Sequence, residues 1–327
     1  MRPDARPVAG LVAVVLGGTG FLGGHIGTAL TELGARVHPV SRTGGMDLVT
    51  TPPEEFAAFL GAVGAEVVVN AAGRAWRSDE AEMAAGNADL VERLTRALAM
   101  LPGTAVRLVQ LGSVHEYGAG TPNASTTEDH VPAPVGAYGR TKLAGTQAVL
   151  RAASGQGIDG VVLRLANVLG AGTPDHSLFG RMAAQLGAAV RAREGGRPPA
   201  ALRTPPLQAV RDVVDVRDAV AAVLAAATAP AAAVSGQVIN VGRGEPVLMR
   251  GLIHRMVELS DVAVQVTEDP GGPVGRVDVT WQLLDIARAE RLLGWRPRRS
   301  LDDSLRDLLA PVLPPAHPPP GGSTDAL

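Results

Sequence analysis

Apolar positions along the chain follow two periods. Leu11–Leu16 (LVAVVL) is an unbroken, Val-rich run, the pattern of a strand buried on both faces. Beyond GGTGFLGG, Ile26, Leu30 and Leu33 recur at helical spacing, and Gly34 suits the stop of that helix. Arg36–Val40 reads as a second strand in spite of Pro39, Glu54–Val63 as a helix and Glu66–Asn70 as a third strand. Residues 79–101 read as one long helix, Val106–Leu111 as a fourth strand, Ala137–Ala153 as a helix and Val161–Leu165 as a fifth strand. Strands alternating with helices at this spacing predict an α/β fold built on a doubly wound parallel sheet. Right-handed crossovers then gather the strand C-termini along one edge, where ligands bind.

The texture changes after Asn167. Residues 170–208 are rich in Gly, Pro and Arg around a helix near Leu178–Arg193. Asp212–Ala227 reads as a helix, Gln237–Val241 as a strand, and 245–310 as a mixture of helices and loops. This pattern predicts a main domain over residues 9–167 plus 209–242 and a smaller, mixed α/β C-terminal substrate lobe over 168–208 plus 243–310. Residues 1–8 and the Pro/Gly-rich 311–327 are expected as flexible tails with little to bury.

Composition narrows the function classes. Of 327 residues 46% are hydrophobic and 19% charged, enough for a sizeable core. A net charge of −2 lacks the basic footprint of a nucleic-acid binder. With no cysteine, disulfides, thiolate zinc sites and cysteine nucleophiles are excluded, and no metal is expected. The run Leu11–Leu16 is too short for a membrane span, so the chain is expected to be a soluble cytoplasmic protein that needs no membrane. Of the 30 basic side chains, 29 are Arg and one is Lys, Lys142. Arg does not replace Lys where a compact ammonium is required.

Gly17, Gly20 and Gly23, with Thr19, Phe21 and Leu22 between them, follow the first strand and open the first helix. Such a G-x-x-G-x-x-G turn brings backbone N–H groups and a helix N-terminus against a pyrophosphate, as in a Rossmann-type dinucleotide site. The end of the second strand bears on the cofactor. An acidic residue there would take a ribose 2′-hydroxyl, whereas this chain has Ser41 and Arg42, which favours NADP(H) over NAD(H). Asp47 and Leu48 are placed beside the adenine.

Tyr138 and Lys142 stand four residues apart at the start of a helix, on one face. A neighbouring ammonium lowers a tyrosine's pKa, so the pair can exchange a proton with a carbonyl or hydroxyl oxygen. Ser113, at the end of the fourth strand, is placed to hydrogen-bond the same oxygen.

The motifs GGTGFLG, NAAG (70–73), GSVHEYG (112–118), YGRTK (138–142), RLANVLGAG (164–172), RDVVDVRDAV (211–220), INVGRG (239–244) and LLGWRP (292–297) together resemble the extended short-chain dehydrogenase/reductase family, in its NAD-dependent epimerase/dehydratase group. The resemblance spans about residues 10–310. It implies Tyr138 as catalytic acid/base, Lys142 as the residue that binds the nicotinamide ribose and tunes Tyr138, and Ser113 as the orienting group. It implies Asn87 as the helix residue that supports Lys142 and a proton-relay water, and Ala71 and Ala72 as cofactor contacts. Asn167, Arg211 and Arg276 are implied on a nucleotide-sugar substrate, with Ser113, Val114 and His115 lining it. A homodimer is implied as well.

Departures from the family pattern are informative. Leu16 stands where Thr often precedes the first Gly. The dehydratase branch carries an Asp-Glu pair directly after the Ser or Thr, where this chain has Val114 and His115; Glu116 falls one place late. RDVVDVRDAV and the region following Asn167 look most like reductases of 4-keto-6-deoxyhexose nucleotides, and Ser41–Arg42 suits the NADPH of a net reduction. The expected function is therefore NADPH-dependent reduction of a nucleotide-sugar C4 ketone. A 4-epimerase or another nucleotide-sugar dehydrogenase is the alternative. A dinucleotide-binding protein without catalysis is a third, disfavoured by the presence of both Tyr138 and Lys142.

Overall fold

The Val-rich runs assemble into one parallel sheet. The computed structural model describes residues 6–41, 46–75, 78–101, 106–269 and 279–313. Strands β1 (Val12–Leu16), β2 (Arg36–Val40), β3 (Val67–Asn70), β4 (Arg107–Ser113) and β5 (Gly160–Leu165) are joined by Val238–Val241. The six lie in the order Val238–Val241, β5, β4, β3, β1, β2, and every neighbouring pair is parallel. The chain leaves β1 on one side for β2 and returns on the other for β3, so the topological switch falls between β1 and β3.

Helices cover both faces, which is why most positions of the inner strands are apolar. Helices α1 (Phe21–Glu32) and α7 (Val216–Thr228) lie on one face, and α2 (Pro53–Val63), α4 (Leu90–Ala99) and α5 (Ala137–Gln156) on the other; α3 (Glu80–Ala84) precedes α4, and α6 (Leu178–Glu194) packs away from the sheet. Alternate strand residues go to opposite sides. Ala13, Val15, Val67, Val69, Val109 and Leu111 pack with Ile26 and Leu30 of α1 and Ala219, Val223 and Ala226 of α7. Val14, Leu16, Val68 and Leu108 pack with Phe56 and Leu60 of α2, Leu90 and Leu94 of α4 and Val149 of α5. Each such aliphatic side chain contributes about 1.5–3 kcal/mol when fully buried.

A third cluster, with Leu169, Phe179, Met182, Leu186, Leu202, Met249, Ile253 and Leu305, lies away from the sheet. Around it Val210–Arg211 pairs with Val247–Leu248 and Trp281–Gln282, Val213–Asp215 with Asn167–Leu169, and Leu202–Thr204 with Val266–Glu268.

The structure corrects several expectations. The helix over 79–101 is not uniform: α3 and α4 are separated by a π-helical turn, Ala85–Asp89. The helix expected from Asp212 begins at Val216, capped by Asp215, because 210–215 is drawn into the short strands. Residues 6–8 are not loose. Arg6 donates to the carbonyls of Ala227 and Thr228, and Val8 is buried in the sheet-side core. At the other end Val312 and Leu313 pack on the third cluster. Leu284, Ala289, Leu293 and Trp295, expected in the substrate lobe, pack instead with the α1–α7 side of the sheet, and Trp295 Nε1 donates to Asp218 O at 2.9 Å.

Asp212 holds the junction of these segments. Its fully buried carboxylate accepts from the backbone N–H of Arg243 (2.7 Å), Gly244 (3.1 Å) and Leu284 (3.2 Å). Burial pushes its pKa up to about 6, beyond what the three N–H donors offset. A pKa raised on folding means that the folded chain holds the extra proton. The stability this group contributes is present below the unfolded pKa, near 3.8, and is lost as pH rises through about 6. The unfolding free energy of the native protein minus that of Asp212→Asn should fall by on the order of 2 kcal/mol between about pH 4 and pH 7, measured by urea denaturation.

Candidate active site

Parallel pairing brings four loops to one edge of the sheet: Gly17–Gly23 after β1, Ala71 and Ala72 after β3, the turn after Ser113 of β4, and Asn167 after β5. The glycine loop is anchored on β2, with the N–H groups of Gly17 and Gly18 donating to Val40 O at 2.8 and 3.2 Å. Gly17 has φ +75°, and a Cβ there would lie 2.8 Å from Ala72 N. At Gly23 a Cβ would lie 2.1 Å from Gly17 O. The helix can therefore start against its own loop only with glycine at both positions. No side chain caps α1, whose N-cap is Gly20, and Thr19 is exposed. An uncapped N-terminus of a 12-residue helix behind a close-packed glycine turn fits a pyrophosphate.

The remaining residues expected at the cofactor are placed as follows. Phe21 meets His25 edge-on, with centroids 5.6 Å apart, and Leu22 packs against the core, so the main chain of Leu22 is what faces the loop. Ser41 is buried at the end of β2, while Arg42 lies outside the described residues. Asp47 accepts from Val49 N at 2.9 Å and Thr50 Oγ1 at 3.0 Å, organising its own turn, and Leu48 is core. Asp47 also lines a cleft of about 400 Å³ with Val49, Arg74, Ala81, Glu82 and Ala85. That grouping shows how the 47–49 turn and the start of α3 approach each other.

Tyr138 and Lys142 lie one turn apart on α5, and Ser113 caps the turn Val114–Glu116. Burial holds the Tyr138 phenol above its ordinary pKa. A hydrogen bond with the Ser113 side chain pulls it down, and the nearby negative charge of Glu116 pushes it further up. Lys142 is buried, and its Nζ donates to Leu111 O. Burial also lowers the Lys142 pKa, against the attraction of Glu116. His115 packs edge-on against Tyr138, centroids 5.6 Å apart. Val114 does not line the site. The turn directs its side chain into the sheet-side core, which removes it from the expected substrate contacts.

Asn87 sits in the π turn and is buried. Its Oδ1 accepts from Arg74 N at 2.8 Å; its Nδ2 donates to Arg74 O at 2.9 Å and Thr141 Oγ1 at 3.0 Å. Its amide thus braces the residue before Lys142 rather than Lys142 itself. The widened turn carries the Asn87 carbonyl close to α5, and a Cβ at Gly145 would fall 2.4 Å from that oxygen. Asn167 Nδ2 donates to Asp212 O at 3.0 Å, and Arg211 Nη1 to Val210 O at 3.0 Å, so both stand where the short strands meet the sheet edge. Arg276 lies outside the described residues.

Glu116 is the site residue that the motif reading passed over. It is fully buried, and its carboxylate accepts from Ser113 N (2.8 Å), Thr146 Oγ1 (2.8 Å) and Arg164 Nε (2.7 Å). The signal was present as the S-x-x-E spacing of a capping box. With Val114 in the core and Glu116 engaged below the turn, residues 114–116 offer no carboxylate for an elimination.

No helix among the described residues is long and apolar enough to cross a membrane. The chain matches the model of the NAD dependent epimerase/dehydratase family over residues 13–242. It is 42% identical over 304 residues to dTDP-6-deoxy-L-talose 4-dehydrogenase (NAD(P)(+)) of Kitasatospora kifunensis, covering 90% of this chain and 93% of that protein. Two solved structures share the fold at a TM-score of 0.79 and 23% identity: RMD from Pseudomonas aeruginosa complexed with NADPH, and UDP-glucose 4-epimerase of Thermotoga maritima with UDP-glucose. Each covers 92% of this chain and 98% of its own. The family match over most of the chain and the 42% identical relative make this chain, with its Rossmann-type sheet, a member of the NAD-dependent epimerase/dehydratase family, within the extended short-chain dehydrogenases/reductases.

Proposed function

We propose that the protein transfers hydride between NADP(H) and C4 of a nucleotide-diphosphate 6-deoxy sugar, acting as a 4-ketoreductase. The observation that carries this reading is the placement of Ser113, at the end of β4, beside the α5 face that carries Tyr138 and Lys142 at the sheet edge. A phenol with an ordinary pKa near 10 is protonated at neutral pH and can give its proton to the oxygen formed in a reduction.

When bound, the nicotinamide supplies the hydride to C4. Ser113 Oγ holds the sugar oxygen, and Tyr138 Oη gives its proton to that oxygen as negative charge builds there. Lys142, turning from Leu111 O to the nicotinamide ribose, brings its ammonium nearer the phenolate left behind and stabilises it. Asn87 keeps this part of α5 in place through Thr141. Asn167 and Arg211 meet the sugar and its diphosphate, joined by Arg276, and His115 lines the pocket beside Tyr138. Ser41 and Arg42 receive the 2′-phosphate of NADP(H). In this reading the sheet domain holds the cofactor, the residues around the third core cluster hold the nucleotide sugar, and two chains form a homodimer.

The 42% identical relative supports the substrate class, since its name places its chemistry at C4 of a dTDP-6-deoxy sugar. Dehydrogenation at C4 and reduction of the C4 ketone are two directions of one hydride transfer and share one transition state. Its name also admits both NAD and NADP, so the preference for NADPH rests on Ser41 and Arg42.

The test is to incubate the protein with NADPH and a panel of dTDP-, GDP- and UDP-4-keto-6-deoxy sugars. Oxidation of NADPH at 340 nm with one of them is expected. Interconversion of two sugars without net cofactor change would instead assign a 4-epimerase. Tyr138→Phe should lower kcat by about 10²–10⁴-fold while the Kd for NADPH, read by fluorescence, stays as in the native protein. Lys142→Arg should also lose turnover, because the planar guanidinium does not reproduce a compact ammonium. NADPH should bind about tenfold or more tightly than NADH. Equal affinity would remove the argument from Ser41 and Arg42.

A further inference from the structure

We propose that Glu116 is a positioning residue: its one buried carboxylate joins the strand end that carries Ser113 to the helix that carries Tyr138 and Lys142, and so sets how the two hydroxyls meet. The proposal rests on the reading of Tyr138 as the proton donor.

The geometry is that of a three-way tie. Oε1 accepts from the backbone N–H of Ser113 at 2.8 Å, and Oε2 accepts from Thr146 Oγ1 at 2.8 Å. Thr146 lies four residues beyond Lys142 and eight beyond Tyr138, on the same face of α5. Arg164, on β5, closes the arrangement from below at 2.7 Å. Among the described residues no backbone–backbone hydrogen bond links β4 to α5; the carboxylate supplies one polar link between the two elements, beside that of Lys142 to Leu111 O. Space for it depends on the neighbouring glycine: a Cβ at Gly112 would fall 2.6 Å from Glu116 Oε1. The same turn leaves Ser113 Oγ accepting from His115 N at 3.3 Å, which leaves the hydroxyl proton to be donated away from the turn.

Charge acts through the same group. The titratable or charged side chains facing Glu116 and the two hydroxyls are Arg164 from β5, Tyr138 and Lys142 from α5, and His115 and Tyr117 from the turn and its end. Arg164 neutralises Glu116 and lies 4.4 Å from the centroid of the Tyr117 ring. The negative charge nevertheless raises the pKa of Tyr138. Reach and charge are therefore separable. Asp keeps the charge but is one methylene too short to hold Ser113 and Thr146 together. Gln keeps the reach but not the charge, and it must be paired with Arg164→Met so that no buried cation is left alone.

Glu116→Asp is expected to lower kcat about a hundredfold, as a small misplacement of reacting groups does, with KM for the sugar changed by less than about threefold. Glu116→Gln/Arg164→Met is expected to keep kcat within about tenfold of native. The chain has two tyrosines, so in a Tyr117→Phe background the phenolate absorbance at 295 nm reports Tyr138 alone. There, Glu116→Gln/Arg164→Met should move the phenol titration to lower pH. An unchanged kcat in a folded Glu116→Asp protein, or an unmoved titration in the double substitution, would overturn the proposal. If Glu116→Asp does not fold, Thr146→Val, which removes only the bond to α5, decides by the same readout: a lowered kcat at an unchanged KM supports the tie, and an unchanged kcat overturns it. The titration needs no turnover, so persistence of activity in Tyr138→Phe would remove the functional reading while leaving the hold of Glu116 on Tyr138 separately measured.

Discussion

Every strand of the central sheet runs the same way, and the chemistry of the molecule depends on that constraint. Parallel pairing forces each connection to cross a face of the sheet through a helix, so both faces are covered and the inner strands are mostly apolar. It also delivers each strand's C-terminal end to a single edge. Gly17, Ala71, Ser113 and Asn167 are far apart in the chain and become neighbours only for this reason. The loops at that edge differ in kind. One packs so tightly that Gly17 and Gly23 have no room for a Cβ; another is tied to α5 and β5 by a buried carboxylate.

The second kind is made from polar groups buried where apolar ones would cost less. Glu116 and Arg164 are almost wholly removed from water, and the Tyr117 hydroxyl continues the chain of contacts to Asn240 Oδ1 at 2.8 Å. Removing one partner of such a pair costs about 3–5 kcal/mol, while replacing both by apolar groups is often neutral or stabilising. The pair is thus a poor device for stability and a good one for geometry, since three bonds with fixed directions hold a strand end and a helix in one register. The π turn at Ala85–Asp89 is comparable. It departs from regular helix so that Asn87 can clasp the Arg74 backbone, and Gly145 gives it room.

What could be read from the chain follows the range of the interactions involved. The Val-rich strands, α1, α2, α5 and α6 were legible because their signals are local: period, caps and glycine stops. The glycine loop and the Tyr138–Lys142 spacing were legible for the same reason. The π turn was not, since the residues that favour it, Arg74 and Gly145, lie well away in sequence. Asp212 looked like the start of a helix because nothing nearby reveals that Arg243, Gly244 and Leu284 will donate to it. Val114 and His115 were read as equivalent neighbours of Ser113, but the turn sends one into the core and the other against Tyr138. The Nζ of Lys142 donates to the Leu111 carbonyl, a partner on β4 that no local signal marks.

Lys142 is the one lysine of the chain, and it is buried in the middle of α5. A lysine-specific protease therefore has one peptide bond to cut, after residue 142, and reaches it only when that helix opens. Cleavage into fragments 1–142 and 143–327 would follow the opening of the helix that carries Tyr138, and no other event in the molecule. A ligand that bridges α5 and the sheet edge would slow that cut in proportion to how firmly it holds the helix closed. The scarcity of lysine has thus left the helix of Tyr138 with a readout of its own local stability.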